Sequence, residues 1–382
     1  FGLVAWPYYL FGLFLFVYSI HLVYKFSNNK LAALIYGISV SNFTRLYFLS
    51  AYQELFLVIF SLLTMINFKK RPYLPLFFFV LALLSKETAA MLPVLVLILN
   101  FEYIKNNFRS LRPTIYLATI ILSIYLYFRL FHFGLAVGDS YLWNFSLVKV
   151  TNTLMWYILW SFGAPELLVD YVGSGLRLVP HFFTDYQYWW QVITLPLLFV
   201  VIYSGWLAIR KPPQIKPVLF FVVALLPVLF LPSHKFTLEL GLPLISFSII
   251  LATLFRKSTK SLYRIPFAIY LMYNLSMNYL TYTRHYSISR GEIAQKIYTY
   301  FSLNYPTYPS FKYFEFINDA TDNGQIWGQS KQISQALSGS DFFKVFYQQP
   351  IYKVYYQDIQ EERPLPTEQL PEYISTLQFL NQ

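Results

Sequence analysis

The chain contains no cysteine, which excludes disulfides, thiolate metal sites and thiol nucleophiles but leaves the compartment open. It is also poor in charge. Only 12% of its 382 residues are Asp, Glu, Lys or Arg, about half the share carried by a soluble domain. Acids are the scarcer sign, 18 against 29 Lys and Arg, for a formal charge of +11. Hydrocarbon fills the space instead: 57% of residues are hydrophobic and mean hydropathy is +0.46. A positive charge of this size can mark a nucleic-acid binder. Here the basic residues sit in short loops between apolar runs, which is membrane topology, so no nucleic-acid partner is expected.

Runs of the length needed to cross a bilayer core recur along most of the chain. The expected fold class is an all-α polytopic membrane protein with about ten transmembrane helices, at 3–24, 31–49, 51–67, 73–84, 88–104, 113–134, 188–209, 217–232, 237–255 and 264–282. A further run, 146–163, reads as interfacial or re-entrant. Phe1 already lies in an apolar run without methionine or a basic flank, so the sequence reads as a fragment lacking its N-terminus, not as a signal peptide.

Loop charge orients the spans. One set of alternate loops holds Lys25 and Lys30, Lys69 to Arg71, Lys105, Arg109 and Arg112, Arg210, Lys211 and Lys216, and Arg256, Lys257, Lys260 and Arg264. Cytoplasmic loops carry such an excess. The opposite loops hold Glu54, Glu87, Asp139, Glu166, Asp170 and Asp185. This places residues after about 283 outside. Trp143, Trp156, Trp160, Trp189, Trp190 and Tyr188, in or beside the long loop 135–187, read as an interfacial aromatic belt or a sugar-stacking platform.

Beyond 285 the composition becomes more polar. Period-two runs at 310–317 and 352–359 flank a helical stretch, 327–339, whose terminal glycine can cap it. The expected organisation is a transmembrane domain over 1–285, a small extracytoplasmic α/β domain over 286–359, and a tail over 360–382.

The apolar stretch LALLSKETAAMLPVLVLILNF (81–101) carries Lys86 and Glu87. A lone lysine at membrane depth costs about 2.5–3.5 kcal/mol on insertion scales, so it needs an anion. That anion is Glu87 or another acid of the chain, or a ligand phosphate. Other charges fall at the same external level: Arg45 and Glu54 in SNFTRLYFLSAYQELF, Arg129 and His132 in RLFHFGL, and His234, Lys235 and Glu239 in LPSHKFTLELGLP. Together they point to a shared polar cavity. No metal-ligand spacing is visible; no cofactor is expected, with a divalent metal left open.

The segments 41–56, 81–93 and 231–243 resemble the GT-C integral-membrane glycosyltransferases, closest to the bacterial forms of the protein O-mannosyltransferase and aminoarabinose-transferase-like superfamily. SKETAAMLP resembles its Ser-Lys turn followed by proline, TRLYFLSAYQEL its Arg-Tyr segment with Glu54 where aspartate is usual, and ELGLP its later Glu-x-x-x-Pro turn. The resemblance covers about 1–285. It implies transfer of a sugar from a polyprenyl-phosphate donor to a protein, lipid or glycan acceptor outside the plasma membrane. It also implies that Lys86 holds the donor phosphate, helped by Lys235, His234 or Arg129, with Arg45, Glu87 and Glu239 in support. The family's main catalytic acid falls before Phe1. Glu54 matches its second acidic position, either orienting the acceptor or pairing with Arg45. A polyprenyl-linked-glycan transporter or flippase, and an inactive relative with a partner-binding external domain, are the alternatives.

Overall fold

In the computed structural model, which describes residues 4–71, 73–134, 141–173, 177–257, 264–308, 312–318, 328–348, 353–359, 361–363 and 370–380, the long apolar runs become helices. Asp139 and Lys260 lie outside the described residues, as do parts of the stretches expected as strands, helix and tail beyond 308. The chain divides into two compact units, Tyr8–Thr281, and Tyr282–Gln382 together with Phe1–Pro7.

The larger unit starts with α1 (Trp6–Ser27). It stops at Asn28, whose left-handed φ of 49° asparagine tolerates better than most residues. Asn29 then caps α2 (Lys30–Ile38), its Oδ1 accepting from the N–H groups of Leu31 and Ala32 at 3.0 and 3.4 Å. Next come α3 (Phe43–Tyr47), α4 (Tyr52–Asn67), α5 (Leu74–Ser85), α6 (Leu92–Asn106), α7 (Phe108–Tyr127), α8 (Leu147–Ser161), α9 (His181–Asp185), α10 (Trp190–Arg210), α11 (Ile215–Leu229), α12 (Pro243–Lys257) and α13 (Arg264–Arg284). Helix α4 packs along α5, α12 lies against α2 and α11, and α11 also meets α6.

Among the described residues, five helical stretches are long and apolar enough to cross a membrane: Trp6–Ser27, Leu49–Asn67, Glu87–Asn106, Phe108–His132 and Trp190–Arg210. The surface of Phe108–His132 shows why water is the wrong solvent for it. Its hydropathy is 1.7, yet only 6% of its apolar window is buried inside the protein, the pattern of a helix whose neighbour is lipid.

The sequence pattern called for ten spans, and the difference has physical causes. Helices α5, α11 and α12 are apolar but short. Helix α13 forms over the expected 264–282 but carries Asn274, Asn278 and Thr281. The expected span 31–49 is not one helix: α2 ends at Ile38, and a 3₁₀ turn at 40–42 precedes α3. The backbone groups freed by that break are taken up by α13. Asn274 Oδ1 accepts the Val40 N–H at 3.1 Å, and Asn278 Nδ2 donates to the Ile38 carbonyl at 3.2 Å. A buried break is tolerable only with such partners. The run 146–163 forms α8, with Trp156 and Trp160 buried; those two are core residues, neither belt nor platform, whereas Trp143 and Tyr188 are exposed.

The smaller unit contains α14 (Tyr286–Asn304), β1 (Lys312–Ile317), α15 (Gln329–Leu337), α16 (Asp341–Tyr347), β2 (Val354–Tyr356) and β3 (Leu370–Ser375). Its sheet is parallel, in the order β2-β1-β3. Phe314 pairs with Val354 on one side and Glu372 on the other. Central β1 is buried on both faces, as a parallel strand covered by helices should be. Phe301, Phe316, Ile333, Phe343 and Tyr356 fill one side. Ser338 and Gly339, both left-handed, close α15, with the Gly339 N–H donating to the Ser334 carbonyl at 2.8 Å. The expected tail 360–382 is corrected here: it supplies β3, and Ile374 and Phe379 enter the core. The lone proline of that strand, Pro371, hid the pattern.

Candidate functional site

Lys86 follows α5 in an extended conformation, φ −160° and ψ 146°, so its side chain leaves the helical direction and turns inward. Its ammonium Nζ bonds Glu54 Oε1 and, at 2.8 Å, Glu239 Oε2. Glu54 stands in the first turn of α4, where the helix dipole favours an acid. Glu239 stands in a 3₁₀ turn, Thr237–Leu240, between α11 and α12. All three groups are buried, Glu54 to 1% exposure and Lys86 and Glu239 to 8%. Three segments that are far apart in sequence therefore meet around one positive charge. An ion group this dry is held together strongly once formed, because removing one partner strands the others.

Within the chain the lysine's partners are two distant acids and not its neighbour Glu87. Glu87 begins the next turn, 87–91, and its side chain is exposed. Adjacent residues on an extended-to-turn junction face apart. Glu54 bonds Lys86, not Arg45.

Arg45 is fully buried, with Nη2 donating to the Ser41 carbonyl at 3.5 Å, while Nε and Nη1 lack a partner among the described residues. It lies beside the same cluster across Gly241: a Cβ there would sit 3.3 Å from Glu54 Oε2 and 3.5 Å from Arg45 Nη1. His234 Nε2 is 3.9 Å from the second oxygen of Glu239, at the more open side of the turn. Its ring leans on Tyr141, centroids 4.3 Å apart, and meets Phe236 edge-on at 4.9 Å. Two residues do not join the cluster. Lys235 donates to Asn152 Oδ1 at 3.2 Å, and Arg129 stands on the partly exposed turn Phe128–His132.

The sequence reading missed a hydroxyl chain behind the acids. Glu166 accepts the Thr237 N–H at 2.7 Å and also the Thr237 hydroxyl. Thr237 Oγ1 lies 2.9 Å from Thr44 Oγ1. Since the Thr237 proton points at a carboxylate, Thr44 is the donor of that second bond. Glu166 had signalled only topology; its place in GAPEL, an acid in a charge-poor apolar setting, was the available clue. The buried set thus has three carboxylates against Lys86 and Arg45.

Chemically, the cluster offers a proton-accepting carboxylate and an ammonium with one of its three protons uncommitted. Among the described residues no group of three or more His, Asp and Glu is placed to hold a metal. A cavity of about 370 Å³ runs among α4, α5, α6 and α7, lined by Phe79, Leu92, Pro93, Leu97, Leu122 and other largely apolar residues. None of the cluster's charged residues lines it.

No protein-family model matches the chain, and no curated protein or solved structure matches it.

Proposed function

We propose that the chain is a multi-pass plasma-membrane glycosyltransferase of the GT-C type, moving a sugar from a polyprenyl phosphate to an acceptor at the extracytoplasmic face, with the C-terminal unit outside. The observation that carries this reading is the Glu54–Lys86–Glu239 cluster, a buried acid pair around an ammonium that keeps one donor free.

In the reaction so read, a carboxylate of the cluster takes the proton of the acceptor hydroxyl as general base. The acceptor oxygen bonds to the anomeric carbon, and the bond from that carbon to the phosphate oxygen breaks. The leaving phosphate gains charge, and cations fixed in a dry site stabilise it better than water does. Lys86 contributes its free N–H, and the His234 imidazole stands at the open side of Glu239; Lys235 and Arg129 lie away from this cluster. The apolar cavity just beyond the Lys86 turn, reached at Leu92 and Pro93, suits an isoprenoid chain.

The test is purified protein in vesicles carrying a polyprenyl-phosphate-linked radiolabelled sugar. Label appearing on an added acceptor, and lost in Glu54→Gln, supports the reading. Passage of the lipid-linked sugar across the vesicle with no transfer favours the second reading, a carrier-lipid transporter. That alternative draws on one observation: Lys86 is already neutralised inside the chain. An inactive relative would do neither.

A further inference from the structure

The two acids on Lys86 are not equivalent. Glu54 is carried by a regular helix, is 1% exposed, and shares no second ionic partner within 4 Å among the described residues. Glu239 is carried by a short 3₁₀ turn between α11 and α12. It reaches Lys86 through Oε2 at 2.8 Å and faces His234 Nε2 through Oε1 at 3.9 Å. One oxygen therefore holds the ammonium while the other faces the imidazole. His234 is the more open of the two, its side chain 19% exposed against 7% for Lys86.

An ammonium enclosed by two carboxylates repels a third anion. A phosphate reaches it at low cost only when one acid withdraws, and the acid on the turn, with the His234 imidazole 3.9 Å from its other oxygen, is the one that can. We propose that Glu239 is an internal stand-in for a phosphate headgroup: it occupies the anion position on Lys86, and an incoming lipid phosphate displaces it toward His234. This rests on the transferase reading and adds to it a built-in competitor that keeps the Lys86 charge compensated until a donor arrives. Displacement also frees a carboxylate beside the phosphate, where an acceptor hydroxyl is to be activated. Binding and base activation become one event.

The test measures binding of farnesyl phosphate by the full chain in detergent micelles, with farnesol as the uncharged tail and inorganic phosphate as the tailless anion. Glu239→Gln removes the competing charge, so it binds farnesyl phosphate about ten-fold tighter than the native chain, the scale of one charge-assisted hydrogen bond. Farnesol binding is unchanged. Glu239→Asp, which withdraws the carboxylate by about one methylene, gains in the same direction to a lesser extent; it serves as the readout where the amide variant does not fold. Equal or weaker farnesyl phosphate binding by these variants overturns the stand-in role. A gain confined to inorganic phosphate overturns the lipid assignment. Native protein that binds farnesyl phosphate no better than farnesol overturns the transferase reading itself.

Discussion

Glu239 in the helical unit and Asp358 in the smaller unit are both held by several donors, in opposite ways. Asp358 receives the Ser330 hydroxyl and Asn318 Nδ2, each at 2.7 Å, and the Lys331 N–H at 3.2 Å. All three donors are neutral, and two of them belong to the first turn of α15. Glu239 has an ammonium at 2.8 Å and an imidazole nitrogen 3.9 Å away. Neutral donors aimed at one carboxylate make a fixed cap, since no arriving anion competes strongly for a hydroxyl or an amide. A shared ammonium is open to such competition. The comparison separates an acid that builds structure from one free to exchange partners.

The largest expected effect breaks the ionic side. Lys86→Met leaves Glu54 and Glu239 buried without their cation, and stability falls by about 3–5 kcal/mol, read as a lowered denaturation midpoint in micelles. Adding Glu239→Gln to that variant recovers part of the loss; no recovery would mean that the two residues are uncoupled in solution. Next in size is Gly163→Ala. Gly163 has a φ of 103°, and a Cβ there would lie 2.6 Å from Asn274 Oδ1, the atom that accepts the Val40 N–H. Backbone strain and the clash together cost about 2–4 kcal/mol, measured by the same denaturation midpoint. A midpoint like the native one contradicts the close approach.

Smaller, and confined to the neutral side, is Gly328→Ala. The Asp358 carboxylate lies 2.1 Å from where that Cβ would be. The substitution evicts the cap and costs about 1–2 kcal/mol, seen as faster amide exchange in α15 with the helical unit unchanged. The smallest effect is acid sensitivity. Burial works against the charge of Asp358, but the Ser330, Asn318 and backbone donors outweigh it and hold the carboxyl below its usual 3.8. Lys312 and then Tyr305 hold Glu372 below its usual 4.5. Both folded-state values are depressed, so each contribution is present above the unfolded value and disappears as pH falls through the folded one. The protection factors of α15 and β3 amides, taken against the intrinsic rate at each pH, therefore fall as pH drops from about 5 to 3. Protection that does not change over that interval removes both acids from the account.

Local signals were the readable ones. Composition and run length announced apolar helices, and the glycine closing 327–339 marked a helix end through a rule that operates over a few residues. The identity of the charged participants was also visible, because Lys86, Glu54 and Glu239 are conspicuous in so apolar a chain. Their pairing was not. Lys86 lies 32 residues from Glu54 and 153 from Glu239, and its sequence neighbour Glu87 was the obvious but wrong partner. The break after Ile38 was hidden for the same reason, since Asn274 and Asn278 satisfy it from the other end of the unit. Glu166 stayed hidden because its partner is a threonine, a residue that carries no charge to attract notice.

Strand β3 joins β1 along all six of its residues, Lys312 with Leu370 through Ile317 with Ser375. A copy of this chain cut before Leu370 would leave the backbone of Tyr-Phe-Glu-Phe-Ile with one unpaired side. Bare strand edges of that character recruit other chains. Truncated copies of this protein should therefore clump with one another, and carboxypeptidase trimming would convert the smaller unit into a seed for precipitation.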